Sequence, residues 1–200
     1  MKEKFLNSSI DLITKNKYYT QDEIDIIAYG LEAVYLTITK MIVVFGVAIL
    51  LGIFKEVLLL LISYNIIRIQ SFGLHASRSI YCLISSLIIF IGGTLICKYV
   101  MIPNYVMYII SFTCNICLFL YAPADTHKRP LINKKKRKRF KIVSSVLGII
   151  YTIIIILFSD YYIANYLLIG MIAAVIMILP ITYKIFNLPY NNYKKYDYGV

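Results

Sequence analysis

Two residues in one short segment have the chemistry of a cysteine nucleophile and its base. The segment runs from Arg68 to Cys82 and contains His75, one of only two histidines in the chain. A thiol group attacks as its thiolate, and a nearby imidazole or the positive end of a helix favours that charged form. His75 and Cys82 therefore indicate a catalytic cysteine with histidine as its general base. The alternative interpretation is that both side chains only pack.

The chain must bend between His75 and Cys82 to bring the two side chains together. In one unbroken helix their separation of seven residues places them about 10 Å apart along the axis, too far for a hydrogen bond. Gly73 permits an unusual backbone, and Ser77 or Ser79 is a suitable N-cap for a following helix. We therefore expect Cys82 in the first turns of that helix, with His75 on the preceding loop.

The apolar run before this segment is short and ends in a charge. Only eleven residues, 57–67, separate Glu56 from Arg68, which is about 17 Å of helix against a hydrocarbon core of about 30 Å. The helix either continues past Arg68 or dips into the bilayer. An intramembrane arginine indicates a functional site, whereas snorkelling to the headgroups is the alternative. Arg68 and Gly73 are therefore candidate supporting residues.

The chain is too hydrophobic for a soluble domain of its length. Of its 200 residues, 60% are hydrophobic and 16% are charged, so much of its apolar surface must face lipid. Long apolar runs predict spanning helices, and the alternating pattern of a barrel does not occur in the sequence. We predict an all-α membrane protein, a six-helix transmembrane bundle forming one domain over residues 1–200. The predicted spans are 39–54, 57–70, 79–99, 103–122, 142–159 and 162–183.

The distribution of basic residues predicts the orientation in the cell membrane. Loops rich in Lys and Arg stay in the cytoplasm, and the predicted loop 123–141 carries the largest basic cluster. The N-terminus, the turn 68–78 and the C-terminal tail follow to the same side, which makes the candidate site cytoplasmic. Only Lys55 and Lys98 fall outside. The net charge of +11 thus predicts anionic lipid, not nucleic acid, as a partner.

Two amphipathic helices are predicted in the cytoplasmic or interfacial region 1–38. Thr20 and Glu23 form a capping-box pattern that opens the second of them. The first carries Leu6 and Ile10 on one side, which is typical of a segment lying on the membrane surface. We interpret both as docking helices.

The other three cysteines lie in apolar segments. Cys114 and Cys117 have CxxC spacing, but the sequence offers no second pair and no nearby histidine for a metal site. Free cysteine behaves as a small hydrophobic residue. We therefore assign Cys97, Cys114 and Cys117 to helix packing, and we expect neither a metal nor a cofactor.

Several motifs around the candidate pair resemble those of the AgrB family. The matching residues are Arg68, Gly73, His75-Ala76, Cys82, Tyr121-Ala122-Pro123-Ala124-Asp125-Thr126 and a basic run through Lys128, Arg129 and Pro130. The resemblance covers nearly the whole chain, and the His-Ala and Cys spacing together with Tyr-Ala-Pro-Ala is highly specific. Phe72, where a second glycine is common, and Arg78 depart from the pattern. Both departures are expected to tune substrate choice.

The resemblance implies a membrane cysteine endopeptidase of Gram-positive quorum sensing, which matures the pheromone precursor AgrD. Cys82 would attack the bond at the end of the pheromone segment, with His75 as base, and an acidic C-terminal tail would leave. A cysteine of the pheromone segment would then close a thiolactone, or a serine a lactone. A second copy of the same chain is a further candidate partner, so a homodimer is one expected state. Substrate-binding candidates for the acidic tail are Lys128, Arg129, Lys134, Lys135 and Lys136.

Two other classes of protein compete with this interpretation. A small six-span transporter or permease component predicts two related halves, and the sequence has no internal repeat. A non-catalytic anchor would use the basic loop only to bind anionic lipid. A thiol-reactive probe separates these classes, because it should label Cys82 selectively in an enzyme.

Overall fold

The part of the chain that the structure describes is built from helices. The computed structural model describes residues 2–14, 19–74, 79–126 and 130–196. The helices are α1 (Lys2–Thr14), α2 (Gln21–Leu50), α3 (Phe54–Ser71), α4 (Ser79–Leu87), α5 (Gly93–Tyr99), α6 (Asn104–Tyr121), α7 (Lys134–Leu157), α8 (Tyr162–Ile176) and α9 (Pro180–Ile185). These described residues form no β-strand, which confirms the predicted all-α class.

Four described helical segments are long and apolar enough to cross a membrane. They are Glu23–Leu50, Ile80–Tyr99, Asn104–Tyr121 and Lys134–Leu157. Helix α8 has fifteen residues, about 22 Å of helix, and α3 carries the charges of Lys55, Glu56 and Arg68. The four long apolar segments indicate a membrane protein. Because α3 and α8 are not among them, the count of six spans stays a prediction.

Helix α2 begins at the predicted capping box and continues much further than expected. The Thr20 hydroxyl accepts from the Glu23 backbone N–H, and the Glu23 carboxylate accepts from the Thr20 N–H, so two free donors at the helix start are satisfied. The helix then runs unbroken to Leu50. No proline interrupts residues 21–50, so the docking helix and the first predicted span are one element, without a break at residue 38. Whether α1 lies on a membrane surface stays a prediction.

Helix α8 is the centre of the packing. Helix α3 packs against α7 and α8, and α6 packs against the same two helices. Small residues permit this close approach: a Cβ atom on Gly170 would collide with the side chain of Ser63. The Ser63 hydroxyl donates to the Tyr166 carbonyl at 3.1 Å, and the Tyr151 hydroxyl donates to the Ser63 carbonyl at 2.8 Å. Hydrogen bonds between helices therefore reinforce the apolar contacts.

A short π-helical segment, Ile88–Gly92, joins α4 to α5. The backbone remains helical on both sides, because the caps at Leu87 and Gly93 keep right-handed helical angles. A π turn accommodates one extra residue inside an α-helix. Together the three pieces form the continuous helical stretch Ser79–Tyr99.

The basic run predicted as part of the loop 123–141 is helical from Lys134 onward. Asn133 caps α7 by accepting from the Lys136 backbone N–H at 3.1 Å. Lys and Arg are good helix formers, so a run of these residues can extend a spanning helix into the polar region. The second half of the predicted loop is therefore the start of α7.

Candidate active site

Cys82 lies in the first turn of α4, as the sequence predicted. The helix begins at Ser79. The hydroxyls of Ser85 and Ser86 both donate to the Cys82 carbonyl oxygen, at 3.1 and 2.8 Å. These two serines therefore bond to the backbone of their own helix, as serines in membrane helices commonly do.

A cavity of about 160 Å³ opens beside the Cys82 side chain. Its walls come from α2, α3, the turn after α3, α4, the π-helical segment and the chain after α8. The polar and ionisable lining residues are Lys40, Tyr64, Asn65, Arg68, Tyr81, Cys82, Ser85 and Ser86. Apolar side chains such as Leu74 and Phe90 complete the lining, so the cavity presents a thiol group and two cations against an apolar background.

Lys40 is the residue of this site that sequence reasoning missed. Its Nζ atom lies 4.0 Å from the Sγ atom of Cys82 and donates toward it. The two residues are 42 positions apart, so no local motif joins them. A signal existed, because Lys40 interrupts the apolar end of α2, and a charge in such a run indicates a functional site as Arg68 did.

Arg68 holds the turn that leads to residue 75. Helix α3 continues past Arg68 to Ser71, which was one of the two predicted possibilities. The Nη2 atom of Arg68 donates to the carbonyl oxygens of Gly73 at 3.0 Å and Leu74 at 2.6 Å. Its buried Nη1 atom has no hydrogen-bond partner within the described residues. Arg68 thus donates to the backbone of the turn.

The turn itself needs the glycine that the sequence singled out. Gly73 has a φ of +105°, a region that side chains rarely adopt. A Cβ atom on Gly73 would collide with the Arg68 guanidinium and would lie 2.5 Å from the Met177 carbonyl oxygen. Phe72 also has a positive φ, of 57°, and its ring packs against Phe140 of α7 at 4.8 Å between centroids.

Backbone hydrogen bonds connect this turn to the Tyr-Ala-Pro-Ala-Asp motif. The Gly73 N–H donates to the Ala124 carbonyl at 2.7 Å, and the Ala124 N–H donates to the Ser71 carbonyl at 3.0 Å. The Leu74 N–H donates to the Met177 carbonyl at 2.9 Å. Two motifs about fifty residues apart in the sequence therefore form one structural unit, whose described part ends at Leu74.

Asp125 connects the motif to the C-terminal tail. Its carboxylate is only 1% exposed and accepts three backbone N–H groups, from Asn192 at 2.9 Å, Tyr193 at 2.8 Å and Leu131 at 3.3 Å. The Tyr183 hydroxyl donates to the Asp125 carbonyl at 3.0 Å. A buried carboxylate is tolerated when its lone pairs are used in this way.

Tyr190 adds a second link between the tail and the motif. Its hydroxyl donates to the Tyr121 carbonyl at 3.4 Å, and its ring packs edge-on against Tyr183 at 5.0 Å between centroids. Burial, together with the nearby Tyr193, Tyr121 and Asp125, raises the pKa of Tyr190 to about 12. The phenol therefore stays neutral and available as a donor at physiological pH.

Three of the predicted substrate-binding residues lie away from the cavity. Lys134, Lys135 and Lys136 form the exposed first turn of α7 and do not line the cavity. His75, Lys128 and Arg129 lie outside the described residues, so their predicted roles stay predictions. Cys97 and Cys114 are buried and Cys117 is partly buried, and none of the three lines the cavity.

Comparison with known proteins assigns the family. The family model described as accessory gene regulator B matches residues 6–178. An AgrB-like protein of Clostridium acetobutylicum is 32% identical over 184 residues, covering 91% of this chain and 88% of its own. An AgrB-like protein of Listeria innocua is 31% identical, covering 93% and 92%. The accessory gene regulator protein B of Staphylococcus saprophyticus is 29% identical, covering 89% and 95%.

No solved structure matches the chain. The family match covers α2 to α8, the motifs that surround Cys82 and every described residue that lines the cavity except Phe186. This chain therefore belongs to the accessory gene regulator B family and has a general role in the agr quorum-sensing system.

Proposed function

We propose that this protein is a membrane cysteine endopeptidase that removes the C-terminal tail of an AgrD-like precursor peptide. Cys82 is the nucleophile and His75 is the general base. The observation that carries the proposal is the placement of Cys82, in the first turn of a helix and on the wall of a cavity that also contains Lys40 and Arg68. Positive groups and a helix N-terminus favour the thiolate form of a cysteine.

The reaction that we propose has two acyl-transfer steps. The Cys82 thiol gives its proton to His75, and the sulfur forms a bond to the carbonyl carbon at the end of the pheromone segment. The peptide C–N bond breaks, the leaving amine takes the proton from the histidine, and an acyl-thioester remains on Cys82. A thiol or hydroxyl of the pheromone segment then gives its proton to His75 and attacks that carbonyl. The bond from the carbonyl carbon to the Cys82 sulfur breaks, the ring closes, and the proton returns to the Cys82 thiolate.

The cavity suits this second step. Exchange of one thioester for another is nearly balanced, whereas hydrolysis is downhill, so water must be kept from the acyl-enzyme. Apolar lining residues such as Leu74, Ile89 and Phe90 support such exclusion. Arg68 and Gly73 act as supporting residues, because they fix the turn that leads to His75.

The basic start of α7 is proposed to receive the acidic tail of the precursor. Lys134, Lys135 and Lys136 are exposed, and the contact of Phe72 with Phe140 connects this part of α7 to the turn before His75. Lys128 and Arg129 are proposed to extend the same basic surface, which also binds anionic lipid. The active site is proposed to face the cytoplasm, because the basic segments are expected there.

The test is detection of the acyl-enzyme. The purified protein is mixed with a synthetic precursor in detergent, and intact mass is measured at short times. We expect an adduct of the mass of the truncated precursor, located on Cys82 and released by hydroxylamine. Cys82→Ala and His75→Ala should not form it, whereas the control Cys114→Ala should. Cleavage by Cys82→Ala at the wild-type rate would refute the proposal.

A further inference from the structure

We propose that Lys40 is a further catalytic residue, whose ammonium group stabilises the negative charge that develops beside Cys82 when the thiol attacks a peptide bond. This inference rests on the proposed function of Cys82. It assigns to α2, which the sequence indicated only as a docking helix and a span, a direct part in the chemistry. The charge has to be held in a cavity with an apolar background, where a fixed cation has a large effect.

The position of Lys40 suits this role. Its Nζ atom lies 4.0 Å from the Cys82 Sγ atom, and both side chains line the same cavity. In a tetrahedral intermediate the carbonyl oxygen carries the charge, and an effective donor lies about 3 Å from it. In this intermediate the oxygen and the attacking sulfur are bonded to the same carbon atom. A spacing of 4.0 Å between donor and sulfur therefore leaves room for an oxygen that contacts the ammonium group.

Three other ionisable groups of the described residues line the cavity, namely Arg68, Tyr64 and Tyr81. The Nη2 atom of Arg68 is committed to the carbonyls of Gly73 and Leu74. Its Nη1 atom, which has no partner within the described residues, packs against Gly73. Among the contacts of the described residues, Lys40 is the cation in hydrogen-bond range of Sγ. The helix packing of α2 against α4 fixes it there.

The proposed step keeps Lys40 charged throughout. The new S–C bond forms as the carbonyl π electrons move to oxygen, and the oxyanion accepts a hydrogen bond from Nζ. Collapse of the oxyanion re-forms the C=O bond and breaks the C–N bond, while the amine receives its proton from His75. Lys40 therefore supplies charge and a hydrogen bond, and no proton leaves it.

Selective alkylation measures the charge at Cys82 without relying on cleavage. In a background in which Cys97, Cys114 and Cys117 are alanine, Cys82 is the only thiol. Anionic iodoacetate and neutral iodoacetamide require the same thiolate, so the ratio of their rates reports the local electrostatic field. We expect Lys40→Met and Lys40→Gln to lower this ratio several-fold and Lys40→Arg to keep it. An unchanged ratio in both neutral variants would overturn the inference.

Cleavage provides the second measurement. Loss of one oxyanion-stabilising donor typically lowers kcat roughly a hundredfold or more, so Lys40→Met and Lys40→Gln should lower kcat to this degree, with little change in KM. Lys40→Arg should recover much of the loss. Lys98→Met is the matched control, because Lys98 is exposed and lies sixteen residues beyond Cys82 on the same helical stretch, about 24 Å along the axis. It should retain wild-type kcat and alkylation ratio.

The outcomes separate this inference from the proposed function. A lowered alkylation ratio with normal cleavage by both neutral variants would refute a catalytic role for Lys40 and leave the role of Cys82 intact. Full cleavage by Cys82→Ala would refute the protease itself, whatever the alkylation ratio. Loss of iodoacetamide labelling in Lys40→Met but not in Lys40→Gln would identify a packing defect of the methionine, and the glutamine variant then decides.

Discussion

Arg68 holds the carbonyl oxygen of Leu74 at 2.6 Å from its Nη2 atom, immediately before the candidate base. The same atom holds the Gly73 carbonyl. Hydrogen bonds to a charged group contribute about 1.5–3 kcal/mol, so their loss should misplace His75. We expect Arg68→Met to lower kcat for precursor cleavage at least about tenfold, and Arg68→Lys to lower it less. Normal cleavage by Arg68→Met would show that the turn does not need this contact.

Gly73→Ala should abolish most cleavage. The added methyl group would collide with the Arg68 guanidinium and the Met177 carbonyl, at a φ of +105° that alanine rarely adopts. Gly46→Ala is the control, since Gly46 lies in α2 with nothing within 4 Å of the added Cβ. That control should keep full activity and gain up to about 1 kcal/mol of stability from helix propensity. Cleavage time courses and thermal unfolding in detergent measure both effects.

Asp125→Ala should destabilise the protein by several kcal/mol. It removes the acceptor of three backbone N–H groups, and each buried donor left without a partner costs about 1–3 kcal/mol. Asp125→Asn should be intermediate, because the amide keeps one acceptor oxygen. Asp160→Ala is the control, because Asp160 is exposed and accepts a hydrogen bond from a side chain, that of Asn104. Equal unfolding temperatures for Asp125→Ala and Asp160→Ala would contradict this assignment.

Reversal of two charges at the start of α7 should weaken precursor binding. Lys135 and Lys136 are exposed, so Lys135→Glu with Lys136→Glu should raise KM for an acidic precursor and leave kcat nearly unchanged. Salt screens such attraction. The KM of the wild-type protein should therefore rise with salt and approach that of the variant. A precursor whose tail acids are changed to lysine should reverse the order of the two proteins.

Removal of the other cysteines should leave cleavage intact. Cys97 and Cys114 are buried, Cys117 is partly buried, and none of them faces the cavity. Cys97→Ala, Cys114→Ala and Cys117→Ala should each keep kcat within about threefold of wild type, with a modest loss of stability from the missing sulfur contacts. A large loss of kcat in any of them, at unchanged stability, would point to a second functional thiol.

Local sequence patterns predicted those parts of the fold that depend on interactions between residues close in the sequence. The capping box of Thr20 and Glu23 and the start of α4 at Ser79 depend on neighbours within four residues. The helical start of α7 at Lys134 was missed because charge was taken as a sign of a loop. Helix propensity and the cap by Asn133 decide that segment instead.

The contacts that build the site are long-range, and the sequence alone does not encode them in a readable form. Lys40 meets Cys82 because α2 packs against α4. Asp125 meets Asn192 because the C-terminal tail returns to the Tyr-Ala-Pro-Ala-Asp motif. The resemblance singled out Asp125 without giving its role. Its role as the acceptor of three backbone N–H groups is evident only from the structure.

The number of residues in the π-helical segment Ile88–Gly92 determines the direction in which the Cys82 side chain points. One extra residue in a helix corresponds to a rotation of about 100° between the two flanking faces. While Gly93 is held against Leu60 and Ile169, deletion of a single residue from this segment would restore regular α-helix and turn Cys82 away from Lys40. An insertion or deletion six to ten residues beyond Cys82, within an apolar run of little apparent chemical importance, would thus act as an on–off determinant of the site.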